Sequence, residues 1–174
     1  MAKQAQYPRV TKEQAERAMF DRFAEAYLNF YGAPLSSPVR RDRPDFSAVD
    51  TATGTTVGVE VTGTYQDNRE AQINYWLHGN WEKIEGDLGG LVDHVNRALS
   101  EKATKAASYA PIGPLVLAIW VGSFIFGHQT EIQFILPRLV IPPNPYSLIA
   151  LVIRDDTGTT PMLQVLQEVK GWRT

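Results

Sequence analysis

Cysteine is absent from the 174 residues of this chain, so disulfide bonds, thiolate zinc sites and a cysteine nucleophile are all excluded. A chain without cysteine is compatible with a reducing compartment. The N-terminal stretch has no apolar run that resembles the core of a signal peptide. From these two observations we expect a cytoplasmic protein.

An excess of charge of one sign and a long hydrophobic run are missing as well. Seventeen Lys and Arg against nineteen Asp and Glu give a formal net charge of -2, which excludes a generally basic nucleic-acid coat but not a local basic patch. The densest apolar runs, residues 115–121 and 148–153, are far shorter than the ~20 residues of a membrane-spanning helix. We therefore expect no membrane partner and interpret both runs as buried strands.

The residues that are present suit a globular protein with a core, since 44% are apolar and 21% are charged. The length predicts a single domain over residues 1–174. Helical spacing predicts helices over 11–30, where Thr11 and Gln14 form a capping-box pattern, and over 91–108. Residues 36–44 have the composition of a loop. The predicted strands are residues 45–50, 56–62, 115–121, 131–136, 148–154 and 162–169, the last two joined as a terminal hairpin.

This order of helix, strands, helix and strands predicts a mixed α/β fold. The hairpin formed by 45–50 and 56–62 is its most informative part. Valines alternate with polar residues over 56–62, which places Glu60 on the face opposite the valines. If Asp50 and Thr55 close a four-residue loop, counting back symmetrically places Asp45 opposite Glu60.

Two carboxylates opposed on paired strands would have Cβ atoms roughly 4.5–5.5 Å apart and would repel each other. A divalent cation would reverse that penalty, because Mg²⁺ prefers oxygen ligands and commonly uses one or two carboxylates. Two alternatives stay open at this point. The register slips by one residue and the pairing of Asp45 with Glu60 is an accident of patterning, or both acids face solvent.

Both predicted helices carry a charged residue within an apolar face. Lys102 lies inside the apolar stripe of the second helix, whereas Lys105 lies at its edge. Met19, Phe23, Ala26 and Phe30 define the apolar face of the first helix, and Glu16 falls on this face among Met19, Phe23, Ala26 and Tyr27. Such a charge either extends to solvent along its stem or points at a group of opposite sign.

The series Glu16, Pro44-Asp45 and Glu60-Val61-Thr62 resembles the PD-(D/E)xK nuclease superfamily, over roughly residues 11–154. The resemblance implies a restriction-endonuclease-like fold, with an αβββαβ core in which helices flank a central mixed sheet. It also implies that Asp45 and Glu60 bind Mg²⁺, with Mn²⁺ as a substitute and the Val61 carbonyl as a third oxygen. Glu16 matches the helix-one glutamate that supports metal binding in some members.

The family lysine is expected at position 62, where this chain has Thr62. In some members the lysine comes from the following helix instead, which makes Lys102 the candidate and Lys105 the reserve. A metal would neutralise charge on a phosphate and activate a water, and a lysine would stabilise the pentacoordinate phosphate. The predicted catalytic residues are therefore Asp45, Glu60, Lys102 and Glu16.

These residues predict a Mg²⁺-dependent endonuclease whose partner is nucleic acid, DNA before RNA. The alternative is a catalytically inactive nuclease-like module that binds nucleic acid or protein, which Thr62 and the acidic net charge favour. Arg40, Arg41 and Arg43 either contact phosphates beside the site or belong to a solvated loop. A homodimer would use the aromatic-rich segment 65–81 and the apolar stretch 139–143 as its interface.

Overall fold

The computed structural model describes residues 10–65 and 86–174. Within these ranges two helices and six strands form the main elements, and two short 3₁₀ helices precede β5. The elements in chain order are α1 (Lys12–Tyr31), β1 (Leu35–Arg40), β2 (Phe46–Asp50), β3 (Thr55–Thr64), α2 (Leu88–Ala106), β4 (Leu115–Val121), 3₁₀ helices Glu131–Phe134 and Leu136–Arg138, β5 (Leu148–Arg154) and β6 (Pro161–Glu168).

The six strands form one mixed sheet in which the spatial order follows the chain order. β1, β2 and β3 are antiparallel neighbours, β3, β4 and β5 run parallel, and β6 returns antiparallel to β5. This confirms the predicted mixed α/β fold and the terminal hairpin. The crossover that makes β4 parallel to β3 contains α2, as parallel neighbours require a long connection.

The two faces of the sheet are covered by different elements. α1 packs on one face, where Phe23 and Tyr27 are fully buried against strand residues such as Val59. α2 and the segment containing Ile132 cover the other face. Each strand of the centre is therefore buried on both sides, which explains the nearly continuous apolar composition of β4 and β5.

α1 begins and ends where local chemistry predicts. Thr11 and Gln14 form a reciprocal capping box, in which Thr11 Oγ1 accepts a hydrogen bond from the Gln14 amide. Gly32 ends the helix in the left-handed conformation with φ of 74°. One residue of the predicted apolar face is misplaced: Phe30 is 52% exposed, whereas the next residue, Tyr31, packs against the core.

Two predicted segments are wrong. Residues 36–44 were expected to be a loop, yet Leu35–Arg40 is an edge strand. Pro38 and an irregular register between Ser36 and Val39 hide the alternating pattern of a strand. An edge strand tolerates a proline, because its outer side has no neighbouring strand that needs a backbone N–H donor. The predicted strand over 131–136 is 3₁₀-helical instead. Its buried residues Ile132 and Ile135 are three apart, a helical spacing.

The predicted hairpin register is confirmed. Asp50 pairs with Thr55 and Phe46 pairs with Val59, so Asp45 precedes β2 at the level of Glu60. The turn is held from outside the hairpin, because the buried Asp50 accepts hydrogen bonds from Arg173. None of the helices in the described part of the chain is long and apolar enough to cross a membrane.

Of the two predicted dimer segments, the aromatic one lies mostly outside the described residues, which include Tyr65 but not Tyr75, Trp76 or Trp81. In the apolar stretch 139–143, Val140 is exposed. Its neighbours Leu139 and Ile141 pack partly against the core under α2. The homodimer itself remains a prediction.

Candidate functional site

Asp45 and Glu60 lie side by side at the point where β2 begins and β3 continues past it. Asp45 Oδ2 accepts a hydrogen bond from the Val61 amide at 2.9 Å. The amide and carbonyl of one strand residue point to the same side of the strand, so the Val61 carbonyl faces the same edge as Asp45. The predicted carboxylate pair and the predicted carbonyl oxygen therefore meet at one place.

Lys102 reaches this place from α2. Its ammonium Nζ donates to Glu60 Oε1. The other carboxylate oxygen, Glu60 Oε2, is buried and has no hydrogen-bond partner among the described residues. Glu60 is only 4% exposed. A buried carboxylate oxygen without a donor is costly, which makes it a natural ligand for an incoming cation.

Glu16 reaches the same cavity from the first turns of α1 but has its own cationic partners. Its Oε2 accepts a hydrogen bond from Arg40 Nη2 at 3.1 Å, and its Oε1 lies 3.3 Å from Lys12 Nζ. Sequence reasoning placed Glu16 on the buried face of α1, and the structure agrees. It did not foresee that β1 would supply Arg40 as the partner.

These groups line one cavity of about 480 Å³. All four predicted catalytic residues are in the lining, as are Val61 and the reserve lysine Lys105. Thr62, which stands where the family lysine is expected, lines the cavity as well. Lys105 is exposed, so the two lysines of α2 differ in position: Lys102 is inside and Lys105 is at the mouth. The cavity is therefore rich in charged groups of both signs.

Burial raises the pKa of Asp45 from its usual value of 3.8 to about 6, and the negative charges of Glu60 and Glu16 act in the same direction. The hydrogen bond from Val61 and the positive charge of Lys102 lower the pKa without cancelling this increase. Asp45 is thus held where its charge is unfavourable. A site that strains a carboxylate in this way is typical of functional centres.

Two tyrosines that the sequence analysis missed surround Glu60. Tyr109 lines the cavity beyond the end of α2, and Tyr146 is buried and donates a hydrogen bond to the Lys102 carbonyl at 3.2 Å. Burial and the neighbouring Glu60 raise the pKa of both phenols well above the usual range. Both therefore stay protonated donors. Nothing in their local sequence points to Glu60, which is more than 45 positions away.

Gly58 sets the position of the loop that carries Asp45. A Cβ atom at Gly58 would lie 2.8 Å from Pro44 Cγ and 2.9 Å from Leu115 Cδ2. The side chain of Leu115 can move, but the ring of Pro44 is rigid, and Pro44 directly precedes Asp45 in the chain. The absence of a side chain at Gly58 therefore lets Pro44 pack against β3 and place Asp45 beside Glu60.

We expect Gly58→Ala to cost about 1–3 kcal/mol of unfolding free energy, the usual penalty of overpacking. Because Pro44 would move Asp45, Mn²⁺ binding should weaken by about tenfold, comparable to the loss of a supporting partner of a metal ligand. Urea unfolding and calorimetry measure the two effects. Gly89→Ala, in the first turn of α2 where only Asp87 Oδ1 is within 4 Å, is the matched control. Equal Mn²⁺ affinity in both variants would show that Gly58 does not position Asp45.

The residues at the site fit a divalent cation with an incomplete protein shell. No group of three or more His, Asp or Glu side chains in residues 10–65 and 86–174 is arranged to hold a metal ion. The protein offers two carboxylates, one of them with an unpartnered oxygen, and the Val61 carbonyl. Mg²⁺ is commonly bound by one or two carboxylates and completes its shell with water and substrate phosphate.

Comparisons of the chain with protein-family models, with curated proteins and with solved structures found no match.

Proposed function

We propose that this protein is a metal-dependent nuclease with a restriction-endonuclease-like fold, which hydrolyses phosphodiester bonds of DNA or RNA. One observation carries the proposal. Asp45, just before β2, Glu60 from β3 and Lys102 from α2 line one cavity, and one oxygen of the buried Glu60 has no donor among the described residues. The element order α1-β1-β2-β3-α2-β4 supports the fold assignment.

Each residue has a role that its position supports. Asp45, Glu60 and the Val61 carbonyl would hold Mg²⁺ or Mn²⁺, which when bound supplies charge neutralisation at the phosphate and a more acidic water. Lys102 would stabilise negative charge that builds on the phosphate. Tyr109, a protonated donor in the cavity lining, would hold a phosphate oxygen or the Glu60 carboxylate in place.

Glu16 lines the same cavity but has its own cationic partners. Its two carboxylate oxygens are engaged by Arg40 and Lys12. We therefore propose that it supports the site by its charge and by holding α1 against β1, and that Asp45 and Glu60 supply the carboxylate ligands.

The second candidate is a nuclease-like module that binds nucleic acid or protein without cleaving it. The observation that favours it is Thr62, which lines the cavity where the family lysine is expected. Lys102 bound to Glu60 supports the catalytic alternative, because this lysine reaches the carboxylate pair from another element.

Manganese binding tests the site without any assumption about the substrate. Calorimetry of the wild type should show one Mn²⁺ bound, and both Glu60→Gln and Asp45→Asn should abolish the signal. Glu25→Gln, an exposed acid on α1, should bind as the wild type does. Titrations of Glu60→Gln and Asp45→Asn that match the wild type would refute the site.

A cleavage screen then separates the two candidate functions. Single-stranded, duplex and branched DNA and RNA are incubated with Mn²⁺ and the wild type or Asp45→Asn. Cleavage that Asp45→Asn abolishes supports the nuclease. Binding of a substrate without cleavage by the wild type supports the inactive module.

A further inference from the structure

We infer that Arg43 and Lys105 form a second phosphate subsite at the mouth of the cavity, which holds a phosphate next to the one being cleaved. The inference rests on the proposed function and names its substrate class. A substrate that fills both subsites carries at least two phosphates in one strand, so it is a polynucleotide and not a single small phosphodiester.

The charged residues of the cavity separate into an inner group and a mouth. Asp45, Glu60 and Lys102 form the inner group, in which Lys102 is already paired with Glu60. The mouth carries charged residues from α1, from the loop before β2 and from α2. Its charged residues are Lys12, Glu16, Asp42, Arg43 and Lys105, which amount to three cations against two acids.

Two of the mouth's cations differ from the others because they form no salt bridge with any described residue. Arg43 and Lys105 are both exposed and both line the cavity. Lys12, in contrast, forms a salt bridge with Glu16, with its Nζ 3.3 Å from Oε1. Arg40 Nη2 lies 3.1 Å from Oε2 of the same carboxylate. Arg43 and Lys105 therefore have their full charge and their donors available for an anion.

Their positions in the chain connect them to the inner group. Arg43 is two residues before Asp45, and Lys105 is three residues after Lys102, on the same side of α2. A strand whose phosphate lies against Asp45, Glu60 and Lys102 would thus place a neighbouring phosphate within reach of the mouth. An Arg offers a planar fork for phosphate and a Lys a mobile point charge, so the pair suits an exposed, sequence-independent backbone contact.

Asp42 is the acid that would oppose such a contact. It is exposed and lies in the same lining. Screening by water and salt weakens all these exposed charges alike, and the two cations without a salt bridge outnumber this one acid. The mouth therefore keeps a net attraction for phosphate, while the inner group keeps a net negative charge that attracts a cation.

Binding of a labelled twelve-nucleotide oligothymidylate in EDTA tests the subsite apart from catalysis. Arg43→Gln and Lys105→Gln should each weaken binding by about 5- to 30-fold. Each should also lower the slope of log affinity against log salt. The double variant should lower the slope by about 0.7 in total, the contribution of one single-strand phosphate contact, because both side chains hold the same phosphate.

Arg97→Gln is the matched control, because Arg97 is an exposed cation on α2 that does not line the cavity. It should leave both affinity and slope unchanged. Cleavage of the same oligonucleotide in Mn²⁺ gives a second readout, in which the two subsite variants should raise KM and keep kcat. A fall in kcat at saturation would place Arg43 or Lys105 at the scissile phosphate and overturn the inference.

The outcomes separate this inference from the proposed function. Variants that bind and cleave like Arg97→Gln would overturn the subsite and leave the nuclease intact. Binding in EDTA that depends on Arg43 and Lys105, without cleavage in Mn²⁺, would support the subsite and overturn the nuclease. A wild type that cleaves but shows no salt-dependent affinity for the oligonucleotide would overturn the subsite.

Discussion

Replacing Lys102 with methionine is expected to lower cleavage by about 10²- to 10⁴-fold, the usual contribution of one group that stabilises charge in the transition state. The same variant should bind Mn²⁺ more tightly, by about tenfold or more, because a positive charge 4–6 Å from a charged site shifts its equilibrium by that amount. Lys102 donates a hydrogen bond to Glu60 Oε1. A cation must therefore compete with it.

The stability of Lys102→Met should change in the opposite direction from its metal affinity. Methionine keeps much of the length of the lysine stem but leaves the buried Glu60 without its counter-ion, which costs about 3–5 kcal/mol of unfolding free energy in metal-free protein. Saturating Mn²⁺ should restore a large part of that loss, since a ligand that binds only the folded state stabilises it. Urea unfolding with and without Mn²⁺ measures both values.

Two further variants make this experiment decisive. Lys170→Met removes an exposed lysine after β6 and should leave stability and Mn²⁺ affinity as in the wild type. Lys102→Arg keeps the positive charge and should fold normally even if Lys102→Met does not, while its different geometry still lowers cleavage. Wild-type cleavage by Lys102→Arg and Lys102→Met would show that Lys102 does not replace the family lysine.

Asp45→Asn is expected to remove Mn²⁺ binding and at the same time stabilise the metal-free protein. Burial raises the pKa of Asp45 to about 6 in the folded state, against 3.8 in the unfolded chain. The stability that protonated Asp45 contributes is therefore fully present below pH ~4 and is lost as the pH rises through 6. Asparagine is neutral at every pH and still offers an oxygen to the Val61 amide.

The difference in unfolding free energy between Asp45→Asn and the wild type should consequently depend on pH. It should be near zero at pH ~4 and reach about 1–3 kcal/mol in favour of the variant at pH 8. This range follows because a tenfold change in proton affinity corresponds to about 1.4 kcal/mol, and because Asp45 is only half-buried. Acids that do not interact with Asp45 cancel in this difference. Urea titrations at both pH values measure it.

Asp45→Ala separates the charge from the hydrogen bond. It also removes the charge, but it leaves the Val61 amide without its acceptor, so it should gain less stability than Asp45→Asn. A difference that is the same at pH 4 and pH 8 would show that Asp45 is not strained in the folded protein. Mn²⁺ binding should be lost in both variants, because both lack the carboxylate.

Much of the site was predictable because its parts belong to local patterns. The alternation of valines in β3 and the four-residue turn between Asp50 and Thr55 predicted the register that brings Asp45 to Glu60. Helical spacing predicted that Glu16 and Lys102 lie on buried faces. The fold family and the catalytic roles stay predictions, since they came from the resemblance of short motifs.

Other parts of the fold were not predictable from local patterns. β1 contains a proline and an irregular register, and only its pairing with β2 makes it a strand. The segment 131–136 is apolar enough for a strand, but Ile132 and Ile135 are buried in the core on the α2 face of the sheet, and the backbone from Glu131 to Phe134 is a 3₁₀ helix. In both cases, contacts with residues distant in sequence decide between local conformations of similar energy.

By itself the sequence determined the capped helix α1, the hairpin register and the faces on which Glu16, Glu60 and Lys102 lie, because periodicity and turn chemistry act within a few residues. Only the tertiary structure decided which charges meet. It paired Arg40 with Glu16 and Lys102 with Oε1 of Glu60. The second oxygen of Glu60, Oε2, has no partner among the described residues. Burial and the distances between charges on different elements set these pairings and the raised pKa of Asp45, and neither quantity exists before the chain folds.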